Sequence, residues 1–245
     1  METVLSFSSI KEFSKSPAHF LSYKSGARIE SAAMRFGTAV HMSVLESDKF
    51  KQTYEVTDLR KNTKAYKLMV SENVGKVYLN KSDWRSIKAI QSNIAVHELA
   101  RDLIYNSDRF EELITGSIKG VPFRGFADAI GSNYVLDLKT TQSGSPEDFK
   151  KSAYNFKYYL QAAIYSELTG MHDFWIVTAE SSAPYNVTPY LVSKEYIQKG
   201  KVELYALIES YKKWRNNDNI IQNNGYDHSI DSQSFFTLDP PKWVK

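Results

Sequence analysis

Hydrophobic and polar residues follow different periods in different parts of the chain. Up to about residue 110 the apolar positions recur mainly at helical spacing, whereas residues 112–141 contain short apolar runs separated by turn residues. Beyond residue 146 helical and strand patterns alternate. The pattern predicts an α/β fold in which a central mixed β-sheet is flanked by helices.

Two helices are predicted in the first part. The residues from Ser31 to about Leu45 are mostly apolar, which is typical of a buried helix. Within it His41 shares a face with Gly37, because four residues separate them. From Asp83 to about Asn106 the isoleucines and leucines recur near helical spacing, which predicts one amphipathic helix capped by Asp83.

The later parts predict a three-stranded meander and four further helices and strands. Residues 112–118, 122–130 and 134–141 form an antiparallel meander, with turns at Lys119-Gly120 and at residues 131–133. A single helix should then run from Pro146 to a glycine stop at Gly170. Two strands (173–179 and 186–192), a last helix (194–216), a polar loop and a tail complete the chain.

Candidate chemistry lies in the meander. Asp137 and Lys139 share one face of a strand, and Asp128 lies on the neighbouring strand across a tight turn. Two carboxylates that share a site repel each other unless a cation lies between them, which makes the pair a candidate for Mg²⁺ or Mn²⁺. A lysine beside them can orient a water molecule or stabilise charge on a phosphate. The pattern alone is weak, because charges that flank a hairpin are usually solvated.

Composition narrows the choice of function. The chain has 245 residues and no cysteine, which excludes thiolate metal sites, iron–sulfur clusters and cysteine nucleophiles. It has neither glycine-rich phosphate-loop motif, so nucleotide-driven chemistry is disfavoured. The net charge of +3 argues against a large basic surface for nucleic acid. With no signal peptide and no long apolar run, we expect a protein of the cytoplasm that contacts no membrane.

Several motifs in a fixed order are shared with a known family. They are Ser-x-x-x-Phe-x-x-Ser-Pro at residues 9–17, Gly37-Thr-Ala-Val-His41, Glu111 or Glu112, Asp128, Asp137-Leu-Lys139-Thr-Thr and Gln161-Ala-Ala-Ile-Tyr165. The set resembles the PD-(D/E)XK nuclease superfamily and, within it, RecE-like phage exonucleases of the exodeoxyribonuclease VIII type. The resemblance runs from Leu5 to about Gly170. One departure is Ala127, which stands where the family's name has proline, a residue often missing in the superfamily.

The resemblance implies a role for each matched residue. Asp128 and Asp137 would bind Mg²⁺, for which Mn²⁺ can substitute, with the Leu138 carbonyl as a further ligand. Lys139 would position or activate the attacking water. His41 would approach the metal from its helix, although a lone histidine on a buried helix is more often a core residue.

Other matched residues leave alternatives open. One of Glu111 and Glu112 would support the metal, and the sequence cannot say which. Gln161 would belong to the catalytic set, whereas Tyr165 could equally contact DNA or lie in the core. A basic cluster after the His41 helix could neutralise DNA phosphates or be a solvated loop. Its members are Arg60, Lys61, Lys64 and Lys67.

The implied activity is a Mg²⁺-dependent exonuclease that resects linear double-stranded DNA from 5′ to 3′ and leaves 3′ single strands. It would act in phage recombination as a ring-like trimer or tetramer beside a single-strand annealing protein, in a bacterial host. The whole chain would be one nuclease domain, with a helical part (1–110), a nuclease core (111–193) and a C-terminal helix and tail (194–245). The alternatives are another PD-(D/E)XK endonuclease and a catalytically inactive DNA-binding or assembly module.

Overall fold

The computed structural model describes residues 3–26 and 30–216, and these contain ten helices and seven strands. The helices are α1 (Phe7–Phe13), α2 (Pro17–Lys24), α3 (Ala32–Leu45), α4 (Ser47–Thr53), α5 (Lys64–Glu72), α6 (Lys81–Val96), α7 (Glu98–Tyr105), α8 (Pro146–Asn155), α9 (Tyr158–Thr169) and α10 (Lys194–Arg215). The strands are β1 (Tyr54–Val56), β2 (Val77–Leu79), β3 (Arg109–Ile118), β4 (Val121–Ile130), β5 (Tyr134–Thr141), β6 (Asp173–Glu180) and β7 (Val187–Leu191).

The main sheet has five strands in the order β3-β4-β5-β6-β7. Strands β5 and β6 are parallel and the other neighbours are antiparallel, so the predicted mixed sheet and the meander β3-β4-β5 are confirmed. The β3–β4 turn falls at Lys119 and Gly120, whose φ angles of 50° and 78° match a hairpin turn. Strands β1 and β2 form a separate parallel pair that the sequence did not predict.

Helices cover both faces of the sheet, because apolar side chains of β5 point alternately to one face and to the other. Leu136 and Leu138 face a core formed with α3, α6 and α7, while Val135 faces a second core formed with α8, α9 and α10. The strand is therefore buried on both faces, as expected of a central strand. This places Asp137 between two layers of helices.

The ladder between β4 and β5 ends early. Only two register pairs join the strands, Ala129 with Leu136 and Ile130 with Val135. The next positions along this register are Asp128 and Asp137, where the two strands begin to separate. The fold therefore opens a gap in the sheet at the two predicted carboxylates.

Two predicted helices are in fact pairs of helices. Helix α6 ends before His97, whose Nδ1 accepts the N–H of Ala100 at 3.4 Å and caps α7. Asp83 does not cap α6, because Asn80 is the cap and its Oδ1 accepts the N–H of Asp83 at 2.7 Å. The predicted helix from Pro146 is broken at Lys157, which has a φ of 57° and ends the regular backbone between α8 and α9.

The ends of the later elements agree with the sequence. Gly170 terminates α9 with a φ of 73°, as the glycine stop predicts. Helix α10 begins after the cap Ser193. The predicted polar loop beyond Asn216 and the tail lie outside the described residues.

Candidate metal and catalytic site

Helix α3 carries His41 to the gap because it lies unusually close to β5. A Cβ atom at Gly37 would stand 3.1 Å from the Thr140 hydroxyl oxygen, so a larger residue would hold the helix further away. His41 Nδ1 lies 3.4 Å from Asp128 Oδ2, and a second hydrogen bond joins the ring to the backbone of Leu138. His41 is therefore brought to the site, as predicted.

His41, Glu111 and Asp128 form a cluster suited to a metal ion. One ligand atom from each lies within 4.8 Å of the others. Glu111 reaches this position through an unusual backbone conformation, with a φ of 48°. Non-glycine residues seldom adopt positive φ, and they do so where the surrounding structure holds them.

The structure separates the two glutamates that the sequence could not. Glu111 turns toward Asp128, whereas Glu112 pairs with Arg109 at 3.5 Å with both side chains substantially exposed. Glu112 is thus the more solvated charge, and Glu111 is the glutamate that lies with His41 and Asp128.

Asp137 and Lys139 form a buried ion pair on β5. Lys139 Nζ lies 2.9 Å and 2.7 Å from the two Asp137 oxygens, but only the contact with Oδ1 has hydrogen-bond geometry. Gln161 Nε2 also donates to Asp137 Oδ1, at 2.6 Å. Asp137 Oδ2 and Gln161 Oε1 are both buried without a hydrogen-bond partner in the described part of the chain. Buried oxygens left unsatisfied in this way fit a site built for a cation or water.

Asp128 lies between the cluster with His41 and Glu111 and the ion pair of Asp137 and Lys139. Its Oδ2 accepts the backbone N–H of Leu138 at 2.7 Å, at the point where the β4–β5 ladder has ended. A side chain therefore replaces the missing strand partner of Leu138. The same carboxylate faces His41 and Glu111 on one side and Asp137 on the other.

Electrostatics at the site favour a neutral Asp128 until a cation arrives. Burial, then the charge of Asp137, raises the pKa of Asp128 to about 8. Burial and the proximity of Asp128 likewise raise the pKa of Glu111. A divalent cation would offset this repulsion, as the sequence reasoning anticipated for paired carboxylates.

His41 and Lys139 are held in opposite protonation states. Burial and the charge of Lys139 lower the pKa of His41, which keeps the imidazole neutral and able to bind a metal. Burial would lower the pKa of Lys139, but Asp137 and Asp128 raise it above its ordinary value. Lys139 is therefore held as an ammonium group.

A cleft of about 650 Å³ opens beside the cluster. It is lined by α3, Glu111 and Thr140, and its titratable side chains include His41, Glu46 and Lys49. Thr38 lines both this cleft and a neighbouring one of about 310 Å³, which also includes Lys61. The two clefts share one side of the molecule.

The predicted DNA contacts have different outcomes. Tyr165 is buried in α9 and its hydroxyl donates to the Phe126 carbonyl, so the core alternative is right and it offers no DNA contact. Burial also raises the pKa of its hydroxyl. The basic cluster lies on the surface, on α5 and the loop before it, and its role stays a prediction. Its members are Arg60, Lys61, Lys64 and Lys67.

One contact at the site was missed from the sequence. Lys139 Nζ lies 5.1 Å from the centre of the Tyr158 ring, a cation–π geometry that holds the lysine stem. Aromatic residues in a helix usually lie in the core, so the sequence gives no reason to place Tyr158 at the site. No motif in the sequence connects it with Lys139.

Comparison with known proteins identifies the family. Residues 6–225 match the model of a family described as PDDEXK-like domain of unknown function (DUF3799). The chain belongs to this PDDEXK-like family. No curated protein matches it. The membership agrees with the mixed sheet flanked by helices.

Three solved structures are similar to this chain to different degrees. A protein of Eubacterium rectale provisionally assigned as an exonuclease has 19% identity and a TM-score of 0.62, over 84% of this chain and 80% of that one. A phage-related exonuclease of Haemophilus somnus has 12% identity and a TM-score of 0.42, over 88% and 96%. An alkaline exonuclease of Laribacter hongkongensis has 15% identity and a TM-score of 0.37, over 86% and 88%. The first of these shows a common fold with this member of the PDDEXK-like family.

Among the described residues, no helix of this PDDEXK-like protein is long and apolar enough to cross a membrane.

Proposed function

We propose that the protein is a divalent-metal-dependent exonuclease that hydrolyses the phosphodiester bonds of linear double-stranded DNA. The observation that carries the proposal is the meeting of two groups across the sheet gap. One is the cluster of His41, Glu111 and Asp128, and the other is the buried pair of Asp137 and Lys139. A binding module has no need of a buried carboxylate oxygen and a buried amide oxygen that lack hydrogen bonds beside an ammonium group.

The donor set supports Mg²⁺, with Mn²⁺ as a substitute. It consists of carboxylate oxygens and one neutral imidazole, and oxygen-rich sites suit both ions. Asp128 and Glu111 would hold the cation, with Asp137 and the Leu138 carbonyl completing the site and His41 beside it. When bound, a divalent cation supplies Lewis-acid polarisation of the phosphate and neutralises negative charge.

The chain's own residues supply positioning and charge. Lys139, kept protonated by its two aspartate neighbours, would stabilise negative charge on the phosphate and orient the attacking water. Gln161 holds Asp137 through Oδ1 and presents its free Oε1 as an acceptor for a water proton. Tyr158 limits the motion of the Lys139 stem.

The finer features of the proposal come from the RecE-like resemblance. They are 5′-to-3′ polarity, the production of 3′ single strands, a ring-like trimer or tetramer, and action beside a single-strand annealing protein in phage recombination in the bacterial cytoplasm. The single-domain organisation of residues 1–245 belongs to the same proposal. Surface cations would guide the DNA, and those proposed are Arg60, Lys61, Lys64 and Lys67.

A cleavage assay tests the activity. The protein is incubated with Mg²⁺ and either linear or covalently closed duplex DNA, the linear DNA being labelled at the 5′ or the 3′ end. We expect loss of label from linear DNA only, with release of the 5′ label first. Asp137→Ala should abolish it, and an unchanged rate in this variant would refute the site assignment.

Other outcomes identify the alternatives. Cleavage of closed circles would indicate a PD-(D/E)XK endonuclease. Inactivity on every substrate with both Mg²⁺ and Mn²⁺, combined with retained DNA binding, would indicate an inactive binding or assembly module.

A further inference from the structure

The β3–β4 hairpin has one covered face and one open face. A Cβ atom at Gly125 would lie 2.7 Å from the Tyr165 hydroxyl, and one at Gly116 would lie 2.9 Å from Leu168, so both glycines face α9. Because successive side chains of a strand point to opposite sides, the residues next to these glycines point away from α9. The open face is therefore the face that carries Asp128 toward His41.

Two cross-strand pairs and one pair of neighbouring carboxylates follow one another along this open face. The strand register places Leu113 opposite Phe126 and Thr115 opposite Arg124. Glu111 and Asp128 lie next along the two strands, where the regular pairing is interrupted, and one oxygen of each lies within 4.8 Å of the other. Each pair is two residues from the next, which corresponds to about 6.7 Å along a strand. Metal ligands, apolar side chains and a cation thus follow in order at equal spacing.

The middle pair is an exposed apolar patch beside a polar site. Phe126 is 58% exposed and Leu113 is 50% exposed, although both belong to well-formed strands. Large apolar side chains that remain in water next to a functional site usually mark a binding surface. Arg124 is exposed as well and forms no ion pair with any residue in the described part of the chain.

We propose that this face, defined by Glu111–Asp128, Leu113–Phe126 and Thr115–Arg124, is a nucleotide ladder that binds a single-stranded segment of DNA. A base adjacent to the reacting phosphate stacks on Phe126 against Leu113, and a phosphate further along the strand binds Arg124 and the Thr115 hydroxyl. This inference rests on the proposed nuclease function and adds the residues that position the strand. It makes Phe126 and Arg124 positioning residues outside the metal cluster.

The chemistry of the ladder favours nucleic acid over an apolar partner. On this face an aromatic ring lies between a cation and carboxylates that attract a metal. This order matches the repeating bases and phosphates of a nucleic-acid strand. The step of about 6.7 Å exceeds the about 3.4 Å rise per nucleotide of a duplex strand, so it suits an extended, unstacked strand. A flat ring can stack only on a base whose face is free, which again requires an unpaired nucleotide.

Fluorescence of 2-aminopurine tests the stacking. Three single-stranded oligonucleotides carry the base analogue at the first, second or third position from the 5′ end, and binding is measured with Ca²⁺ in place of Mg²⁺. We expect quenching at one position only, and its loss in Phe126→Ala with roughly 5-fold to 150-fold weaker binding. Phe126→Tyr should restore both, because it keeps the ring.

Salt dependence separates the two kinds of contact. Arg124→Gln should reduce the slope of log binding constant against log salt by about 0.7, whereas Phe126→Ala should leave the slope unchanged. Tyr105→Ala is the control, because Tyr105 is an aromatic residue of α7 that is 72% exposed and outside the ladder. It should bind and quench like the wild type.

The outcomes distinguish this inference from the proposed function. If the wild type cleaves DNA but Phe126→Ala binds and quenches normally, the ladder is wrong and the nuclease proposal stands. If the wild type cleaves nothing but shows quenching that depends on Phe126, the ladder stands and the nuclease proposal fails. If it neither binds nor cleaves, both fail. A change of oligomeric mass in Phe126→Ala with unaltered DNA binding would show an interface between copies and refute the ladder.

Discussion

The backbone N–H of Leu138 donates to Asp128 Oδ2 at 2.7 Å, so a carboxylate of the candidate metal site also serves as the last rung of the β4–β5 ladder. Function and stability can be separated at this residue. Asp128→Asn keeps an oxygen acceptor for Leu138 but loses the charge, and it also removes the repulsion from Asp137. Asp128→Ala loses the acceptor as well.

We therefore expect both Asp128 variants to be inactive but to differ in stability. Asp128→Asn should be at least as stable as the metal-free wild type at pH 8, whereas Asp128→Ala should be less stable than Asp128→Asn by about 1–3 kcal/mol, the cost of an unsatisfied buried N–H. Urea unfolding without metal measures the difference. Equal stability of the two variants would contradict the role of the Leu138 bond.

Neighbouring glutamates provide a matched pair of variants. Glu111→Gln should raise the Mg²⁺ concentration for half-maximal activity by about 10-fold to 100-fold, because Glu111 lies in the cluster with Asp128. Glu112→Gln should leave this concentration within about 2-fold, because Glu112 forms an exposed ion pair with Arg109. A Mg²⁺ titration of the cleavage rate measures both concentrations. A larger effect of Glu112→Gln than of Glu111→Gln would place Glu112, not Glu111, at the metal.

Lys139 should matter for both rate and fold. Lys139→Ala leaves Asp137 buried without its cation, which should cost about 3–5 kcal/mol of stability and reduce the cleavage rate about 10²-fold to 10⁴-fold. Lys139→Arg keeps the charge and should retain most of the stability, so activity can be compared in a folded protein. Lys150→Ala, at an exposed position on α8, is the control and should change neither.

Metal binding should depend on pH through Asp128. Its folded pKa of about 8 lies above the ordinary value of 3.8, so between these values the folded state holds a proton that the unfolded chain has released. The stability of the metal-free protein therefore falls as pH rises through this range, and the contribution is fully present only below pH 3.8.

Mg²⁺ requires the ionised carboxylate, so its stabilising effect should grow with pH up to about 8. Thermal unfolding with EDTA or excess Mg²⁺, at several pH values, measures this gain in Tm. Asp128→Asn isolates the effect, because it should show no Mg²⁺-dependent gain at any pH. A gain in the wild type that is independent of pH would contradict the raised pKa.

Packing of α10 on α9 gives a prediction about stability alone. A Cβ atom at Gly200 would lie 2.2 Å from the Tyr159 carbonyl oxygen, which is backbone and cannot move alone. Gly200→Ala should therefore destabilise the protein by about 1–3 kcal/mol, although alanine is the better helix former. Gln198→Ala, exposed on the same helix, should stay within about 0.5 kcal/mol. Unfolding by denaturant compares them, and a stabilised Gly200→Ala would refute the close packing.

The sequence predicted the elements that depend only on the alternation of side chains along a strand and on the residues of a turn. The bounds of β5 and the turn at Lys119-Gly120 follow from alternation and turn chemistry. The breaks at His97 and Lys157 do not, because the apolar period continues through both and neither residue is a usual helix breaker. Strands β1 and β2 have three residues each, too few for an alternating pattern.

The candidate site, too, could be predicted from the sequence only in part. Asp128, Asp137, Lys139, Gln161 and His41 were found because their types and spacing match a family. Glu111 could not be separated from Glu112, since only its positive φ turns it to the cluster. The open face of the hairpin could have been found, because Arg124, Phe126 and Asp128 alternate in the sequence, but alternation does not say which face a helix leaves uncovered.

The unequal pairing of β5 with its two neighbours has a mechanical consequence. Eight register pairs join β5 to β6, whereas two join it to β4. The hairpin is therefore held to β5 by fewer strand contacts than β6 is, and the candidate metal ligands Asp128 and Asp137 lie on the two sides of this weakly paired boundary. A cation bound by both would link β4 to β5, reduce the motion of the hairpin and fix the direction in which its open face points.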